Sequence, residues 1–190
     1  MDFPNSMKVN LFNEVKWARR ICLSLDGIVC EYDSPKMVKN FFGIDIPSEE
    51  LFGYDLADVL GVTPTLINTM WEKQIYDKPN FIRGAIETLK EWGFQKYELV
   101  IYSKRIEYMG YDGFTLWLRD CRIPFNRINN GRGQCDIQID DSPSRLMEAD
   151  SKFKLLFDQP WNGKCLNITG KLKRVYTWGG IRNVCSFLGT

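Results

Sequence analysis

The sequence contains no histidine, and this absence narrows the chemistry that its 190 residues can perform. Serine and cysteine hydrolases commonly depend on a histidine base, and zinc sites commonly use histidine ligands. We therefore expect neither a Ser-His-Asp triad, nor a Cys-His pair, nor a histidine-ligated zinc centre.

Clustered cysteines are also lacking. The sequence has no Cys-x-x-Cys pair, and its cysteines are scattered through apolar patterns. Closely spaced cysteines are typical of metal sites and of disulfide frameworks. We therefore predict buried, reduced thiols in a cytoplasmic protein for all six cysteines, which are Cys22, Cys30, Cys121, Cys135, Cys165 and Cys185.

The chain has little net charge and no long apolar run. Its formal net charge is +1, which gives no electrostatic reason to expect a nucleic-acid patch or an anionic membrane as partner. A membrane span needs about 20 apolar residues in succession, and no such run is present. The opening residues MDFPN do not resemble a signal peptide. We expect a cytoplasmic protein with no membrane partner, in which 44% hydrophobic content supports one domain.

The first apolar strand ends in two polar side chains and a glycine. Residues 20–30 read RICLSLDGIVC, and a buried parallel strand presents functional side chains at its carboxyl end. Because strand side chains alternate, Ser24 and Asp26 should point to the same side. Gly27 allows a sharp turn directly after them. The pattern predicts a functional site at the end of this strand.

The segment after this strand has a helical pattern. Ser34-Pro35 and Thr63-Pro64 are typical of helix starts, because a small polar residue caps the helix and proline suits its first turn. Aromatic side chains in this segment could stack on a nucleobase or form the core of a small helical bundle. They are Phe41, Phe42, Tyr54, Trp71 and Tyr76.

From residue 80 onward, strands alternate with helices, which indicates a doubly wound, mostly parallel α/β sheet. We predict a single domain over 1–190, with a core at about 20–31 and 80–190, a helical cap at about 32–79 and an N-terminal arm at 1–19. Helices are predicted at 7–20 (within or next to the arm), 80–94, 111–121, from 143 and at 180–187. Strands are predicted at 20–26, 97–102, 126–128, 153–157 and 174–178, and a further alternating strand within 131–143 ends in Asp140 and Asp141.

The order of these motifs resembles that of the haloacid dehalogenase-like (HAD) phosphohydrolases. That family opens with a hydrophobic strand and Asp-x-Asp-Gly, and this chain has Ser24-Leu25-Asp26-Gly27 there. Ser103 after the next strand and Asp140-Asp141 after a later strand resemble its second and fourth motifs. The phrases GAIETLK, IDDSP, LFDQPWN and RVYTW look like the 5'(3')-deoxyribonucleotidase branch, so that the resemblance covers about residues 20–185.

The resemblance implies roles for the acidic residues. In an active member the first aspartate attacks phosphorus and the second acts as acid and base. By position, Ser24 stands at the nucleophile, Asp26 at the acid/base, and Asp140 with Asp141 at the Mg²⁺ site, together with the backbone carbonyl of Asp26. Paired acids at a strand end also repel each other unless a cation or hydrogen bonds compensate. Mg²⁺ is therefore the implied cofactor, in a site weakened or lost through Ser24.

The resemblance also implies a phosphate site. Ser103 would hydrogen-bond the phosphate, and the adjacent Lys104 and Arg105 are either further phosphate ligands or solvated loop charges. The related nucleotidases usually carry a lysine four residues before the position of Asp136, where this chain has Arg132. Arginine keeps the positive charge, but its planar guanidinium has a different geometry. Phosphate or a nucleoside monophosphate is the implied ligand.

Ser24 decides between three hypotheses. Serine is a poor nucleophile without a base, and the only candidate nearby is the carboxylate of Asp26, which is a weak one. In the first hypothesis, the chain is a phosphate- or nucleotide-binding HAD protein with little or no hydrolysis, which is also compatible with a protein partner. The alternatives are an active Mg²⁺-dependent phosphatase on (deoxy)nucleoside monophosphates, and a structural protein whose ancestral site is empty.

Overall fold

The computed structural model describes residues 19–31, 33–47, 50, 56–94, 97–129, 133–163 and 172–189. The N-terminal arm predicted at 1–19 and its helix at 7–20 therefore lie almost entirely outside the described residues. Arg20, which ends that predicted helix, is instead the first residue of the first strand.

The described strands form one parallel sheet in the order β3-β2-β1-β4-β5-β6. This confirms the predicted α/β architecture. The strand order reverses between β1 and β4, and ligands of open α/β sheets bind outside the carboxyl ends of the strands at such a point. The strands are β1 Arg20–Ser24, β2 Glu98–Tyr102, β3 Arg127–Ile128, β4 Cys135–Asp140, β5 Ser151–Phe157 and β6 Leu172–Val175.

Helices follow the strands and cover the sheet. Three of them lie between β1 and β2 in sequence, ahead of α4, and are called here the helical insert. The side chain of Asp33 caps the first of these helices, by accepting from the backbone N–H of Lys36. The helices are α1 Ser34–Phe42, α2 Leu56–Leu60, α3 Pro64–Gln74, α4 Ala85–Phe94, α5 Arg105–Asp120, α6 Pro143–Glu148 and α7 Trp178–Gly189, with a 3₁₀ turn at Pro160–Asn162.

The sheet and the helical insert each have their own apolar core. In the main core, buried aliphatic and aromatic side chains of β1, α4, α5 and α7 belong to one cluster. The insert packs around a smaller cluster, so that it is held together independently of the sheet. That cluster comprises Met37, Val38, Leu56, Ala57, Ile67 and Met70.

The helix predicted at 80–94 begins only at Ala85. Phe81 forms an isolated bridge with Cys30, and Gly84 has a φ of +85°, which a helix does not contain. Ile82 packs against the main core from the segment ahead of the helix, which continued the apolar spacing, whereas Phe81 is 37% exposed. The start predicted for this helix is therefore wrong.

Other boundaries also differ. The strand predicted at 174–178 ends at Val175, and Trp178 begins α7 with its indole N–H donating to the Ile28 carbonyl at 2.7 Å. Aromatic residues favour strands in general, and here tertiary packing overrides that preference. The helix α5 is interrupted at Gly110, whose φ of +66° is not helical. The helix predicted at 111–121 corresponds to the part after this break, and the part from Arg105 to the break was not predicted.

The prediction that all cysteines are reduced is wrong for Cys22 and Cys135. These residues form a disulfide between β1 and β4, with their Cα atoms 6.0 Å apart. The pattern gave no sign of it, since the partners are 113 residues apart and only the fold brings their strands together. Cys30 and Cys185 are buried free thiols, Cys121 is a free thiol that is only partly buried, and Cys165 lies outside the described residues. Because disulfides persist mainly in oxidising compartments, the cysteines no longer argue for the cytoplasm.

Among the described helices, none has the length and apolar character required to span a bilayer.

Candidate functional site

The carboxyl ends of β1, β2 and β4 meet as the sequence predicted. Ser24 pairs in register with Tyr102, the residue before Ser103, and Leu23 pairs with Ile139, the residue before Asp140. A cavity of about 310 Å³ opens over these strand ends. The side chains at positions 24, 26, 103 and 141 all line it, and residues of α3 line its opposite wall.

Ser24 places a hydroxyl at the end of β1. The residue is buried, at 3% exposure, and faces the cavity together with Asp26, as the alternation of strand side chains predicted. The structure thus puts an uncharged hydroxyl at the position where the HAD resemblance implies the nucleophilic carboxylate.

Asp26 is held by two neighbours. Arg105 contacts Oδ1 through both Nε at 2.9 Å and Nη2 at 2.8 Å, and the Ser103 hydroxyl donates to Oδ2 at 2.7 Å. Burial is the largest single influence and lowers the pKa of Arg105, but the charge and hydrogen bond of Asp26, together with Cys30 and Cys121, raise it, so that the pKa ends above its usual value. The carboxylate at the acid/base position is therefore part of a buried ion pair.

Ser103 has the predicted position but is already engaged. Its hydroxyl donates to Asp26 and accepts from the backbone N–H of Arg105 at 3.1 Å. To donate to a bound phosphate, the hydroxyl would have to turn away from Asp26. The neighbouring Lys104 is exposed and lines the cavity, whereas Arg132 lies outside the described residues.

Asp140 is fully buried at the end of β4. Its carboxylate accepts from the Tyr102 hydroxyl at 2.5 Å, from the backbone N–H of Ser142 at 2.8 Å and from Arg145 Nη2 at 3.1 Å. Burial raises the pKa of Tyr102 well above its usual value, and the Asp140 charge raises it further, so that the phenol keeps the proton it donates.

Asp141 lies against the turn that follows β1. A Cβ atom at Gly27 would approach Asp141 Oδ2 to 2.5 Å, and the φ of Gly27 is +78°, so that only glycine fits there. The same oxygen accepts from the Trp161 indole at 3.0 Å. Burial raises the pKa of Asp141 to about 8, with a further contribution from Asp140 beside it.

Two residues around this site were missed by the sequence reasoning. Arg145 contacts both acids, and Trp161 lines the cavity as well as binding Asp141. Arg145 stands four residues after Asp141, in the first turn of the helix predicted from 143, and this short separation could have indicated the first contact. No comparable sequence signal pointed to Trp161, because it comes from the turn after a different strand.

The structure separates the aromatic residues of the insert. Phe41, Phe42 and Trp71 all pack against the core of the insert, and of these three only Trp71 also lines the cavity. Tyr76 is exposed, and its hydroxyl donates to the Tyr108 carbonyl at 3.5 Å. Tyr54 lies outside the described residues.

Comparison with solved structures identifies the architecture. The crystal structure of a HAD-superfamily hydrolase from Ehrlichia chaffeensis matches with a TM-score of 0.53 and 13% sequence identity, over 89% of this chain and 97% of that chain. This chain has a HAD-like fold. At such low identity the match establishes the fold, and function has to be argued from the site. No protein-family model and no curated protein matches the chain.

Proposed function

We propose that this HAD-fold protein binds phosphate or a nucleoside monophosphate in the cavity beside Ser24, with little or no hydrolysis. The observation that carries the proposal is the Ser24 hydroxyl at the end of β1, where covalent phosphoryl transfer in the HAD family requires a carboxylate. Loss of the nucleophile from a covalent enzyme costs about 10⁴ to 10⁶ in rate.

Replacement nucleophiles are not apparent around the cavity. None of the described residues that line it is a cysteine or a histidine. Cys30 lies near Asp26, but burial raises the pKa of its thiol well above the usual value, with Asp26 adding to the effect. Thiolate chemistry at this position is therefore disfavoured near neutral pH.

The charges around the cavity favour an anion. The cavity is lined by Lys104, Arg105 and Arg145. Arg105 pairs with Asp26, and Arg145 pairs with both Asp140 and Asp141. Because the pKa of Asp141 is about 8, this acid is mostly protonated near neutral pH. Positive charges then outnumber negative charges, which attracts a phosphate and does not require added cations.

A nucleotide extends the proposal to the helical insert. Trp71 of α3 lines the wall opposite the strand ends, where its ring can stack on a base, and the cavity is within the range of small-molecule sites. In this proposal the helical insert serves as the cap of the HAD resemblance, and the 5'(3')-deoxyribonucleotidase branch supplies the ligand class.

Binding and hydrolysis can be tested separately. Melting temperature is measured with inorganic phosphate, with deoxynucleoside monophosphates and with the matching nucleosides, since a ligand of the folded chain raises its stability. We expect phosphate-bearing ligands to raise it and nucleosides to act weakly. If no ligand shifts the melting temperature, the proposal of phosphate binding is overturned in favour of a structural protein whose site is empty.

Hydrolysis is measured as phosphate release in the presence of Mg²⁺, for the parent chain and for Ser24→Asp. We expect no turnover by the parent above the level of a matched blank. Rapid hydrolysis by the parent would overturn the proposal in favour of an active phosphatase. Turnover by Ser24→Asp alone would show that the rest of the catalytic arrangement survives.

A further inference from the structure

Arg145 contacts both acids of the predicted metal site. Its Nη2 atom lies 3.1 Å from Asp140 Oδ1 and 3.4 Å from Asp141 Oδ1. The backbone N–H of Arg145 also donates to the hydroxyl of Ser142, the residue that caps α6, so that the arginine is fixed at the start of this helix. A single guanidinium nitrogen thus lies between the two carboxylates.

The remaining oxygens of these acids are also engaged. Asp140 Oδ2 accepts from the Tyr102 hydroxyl, and its Oδ1 accepts from the backbone N–H of Ser142 as well as from Arg145. Asp141 Oδ2 accepts from the Trp161 indole. Each carboxylate is therefore satisfied by donors that belong to the protein. A metal ion would have to displace several of them.

The set of ligands does not fit Mg²⁺. The ion prefers several hard oxygen ligands in octahedral geometry, and the HAD resemblance implies one carboxylate at position 24. Ser24 supplies only a neutral hydroxyl, and the ligand implied at Asp26 is its neutral backbone carbonyl. The Asp26 carboxylate cannot replace the missing charge without breaking its pair with Arg105. Within the ranges that the structure describes, no three acidic, histidine or cysteine residues are grouped so as to hold a metal.

We propose that Arg145 is the cation of this site in place of a divalent metal, and that phosphate binds there without Mg²⁺. A guanidinium suits both partners, because its planar donors match carboxylate and phosphate oxygens. Arg145 lines the cavity while it contacts both acids, so that the same side chain compensates the charge of the buried Asp140 carboxylate and faces the ligand. The inference deepens the proposed function and rests on it only for phosphate binding.

The metal part of the inference is tested without any phosphate. Mn²⁺ binding is followed by electron paramagnetic resonance and Mg²⁺ binding by the shift in melting temperature. The chains compared are the parent, Arg145→Gln, and Arg182→Gln as a control with a more exposed arginine that pairs with Glu91 at 3.4 Å. We expect neither ion to bind the parent or the control at millimolar concentration, and Arg145→Gln to bind both.

The phosphate part compares affinity with Mg²⁺ and with a chelator. We expect the parent to bind phosphate equally in both, and Arg145→Gln to bind it about tenfold or more weakly in chelator, since a charge-assisted hydrogen bond is lost. Mg²⁺ should restore part of that loss in the variant alone. If circular dichroism shows that Arg145→Gln is unfolded, Arg145→Met replaces it, because methionine is flexible enough to fill the space and carries no charge.

The outcomes separate the two proposals. Metal binding by the parent, or phosphate binding that requires Mg²⁺, overturns the role of Arg145 and leaves the proposed function standing. Failure of Arg145→Gln or its replacement to gain metal binding overturns that role as well. If the parent binds phosphate neither with Mg²⁺ nor with a chelator, the proposed function is overturned. The metal-binding measurements then still test whether Arg145 replaces the metal.

Discussion

Arg105 at the start of α5 and Asp26 just after β1 form a buried ion pair, with both Nε and Nη2 of the arginine within 2.9 Å of one carboxylate oxygen. The third guanidinium nitrogen donates to the Ile75 carbonyl at the end of α3. The Trp117 ring lies 4.6 Å from the guanidinium carbon. This one side chain therefore joins the sheet, α5 and the helical insert at the cavity.

Replacing Arg105 with methionine should destabilise the chain. The change leaves the Asp26 carboxylate without its cation and the Ile75 carbonyl without its donor. Removing one partner of a buried pair costs about 3–5 kcal/mol, and the partial exposure of Asp26 puts the expected loss near the lower figure. The free energy of unfolding in urea measures it.

The double variant with Asp26→Asn should recover part of that loss, because no unpaired charge remains. Arg182→Met is the matched control, since it breaks an exposed pair that contributes less than about 1 kcal/mol. Equal effects of Arg105→Met and Arg182→Met would show that the Arg105 pair has no special role.

Replacing Gly27 with alanine should disturb both the turn after β1 and Asp141. The left-handed conformation at φ +78° is unfavourable for alanine, and its Cβ would lie 2.5 Å from the Asp141 carboxylate. We expect a loss of about 1–3 kcal/mol in the free energy of unfolding, together with weaker phosphate binding. Urea unfolding and phosphate titration measure the two effects.

Gly93→Ala provides the opposite control. Gly93 lies within α4, and a Cβ atom added there would meet no other group within 4 Å. Alanine is the better helix former by about 0.5–1 kcal/mol, so this variant should be more stable than the parent. A Gly27→Ala chain as stable as the parent would contradict the close approach of Asp141.

The stability of the chain should fall as pH rises because of Asp141. The pKa of this buried carboxyl is about 8 in the folded chain, against a usual 3.8. Between these values the folded chain holds a proton that the unfolded chain has lost. Its contribution is fully present below the lower pKa and is lost towards the upper one, with a slope of at most about 1.4 kcal/mol per pH unit.

Asp141→Asn should remove this dependence, since an amide can still accept from Trp161 and does not ionise. We expect the variant to gain stability over the parent progressively from about pH 5 to about pH 8. Unfolding in urea at several pH values measures the gain. Asp45→Asn, which alters an exposed pair with Lys39, should follow the parent at every pH. Parallel curves for Asp141→Asn and the parent would refute the raised pKa.

The sequence was sufficient to predict the parallel sheet, because the strands of this sheet are apolar runs that end in polar residues. The predicted element boundaries were wrong where packing overrode local preference. Trp178, for example, is a residue type that favours strands but begins a helix. Phe81 likewise continued a helical spacing but forms a bridge with Cys30. Such positions are decided by contacts with distant residues, which a single sequence does not display.

The candidate site was predicted in part for a related reason. Ser24, Ser103 and Asp140 follow strands, and the ends of parallel strands meet by construction. Their partners come from helices and turns, so that the burial of Arg105 and the position of Arg145 depended on how those helices pack. The disulfide was missed for the same reason, because strand order brings Cys22 and Cys135 together.

That disulfide has a mechanical consequence. The sulfur atoms close a covalent ring over the sequence separation of 113 residues between Cys22 and Cys135, which includes the helical insert. When the two termini are pulled apart, tension crosses from β1 to β4 through the sulfur bridge and bypasses everything within the ring. The cavity wall formed by α3 is thus shielded from stretching until the bridge is reduced.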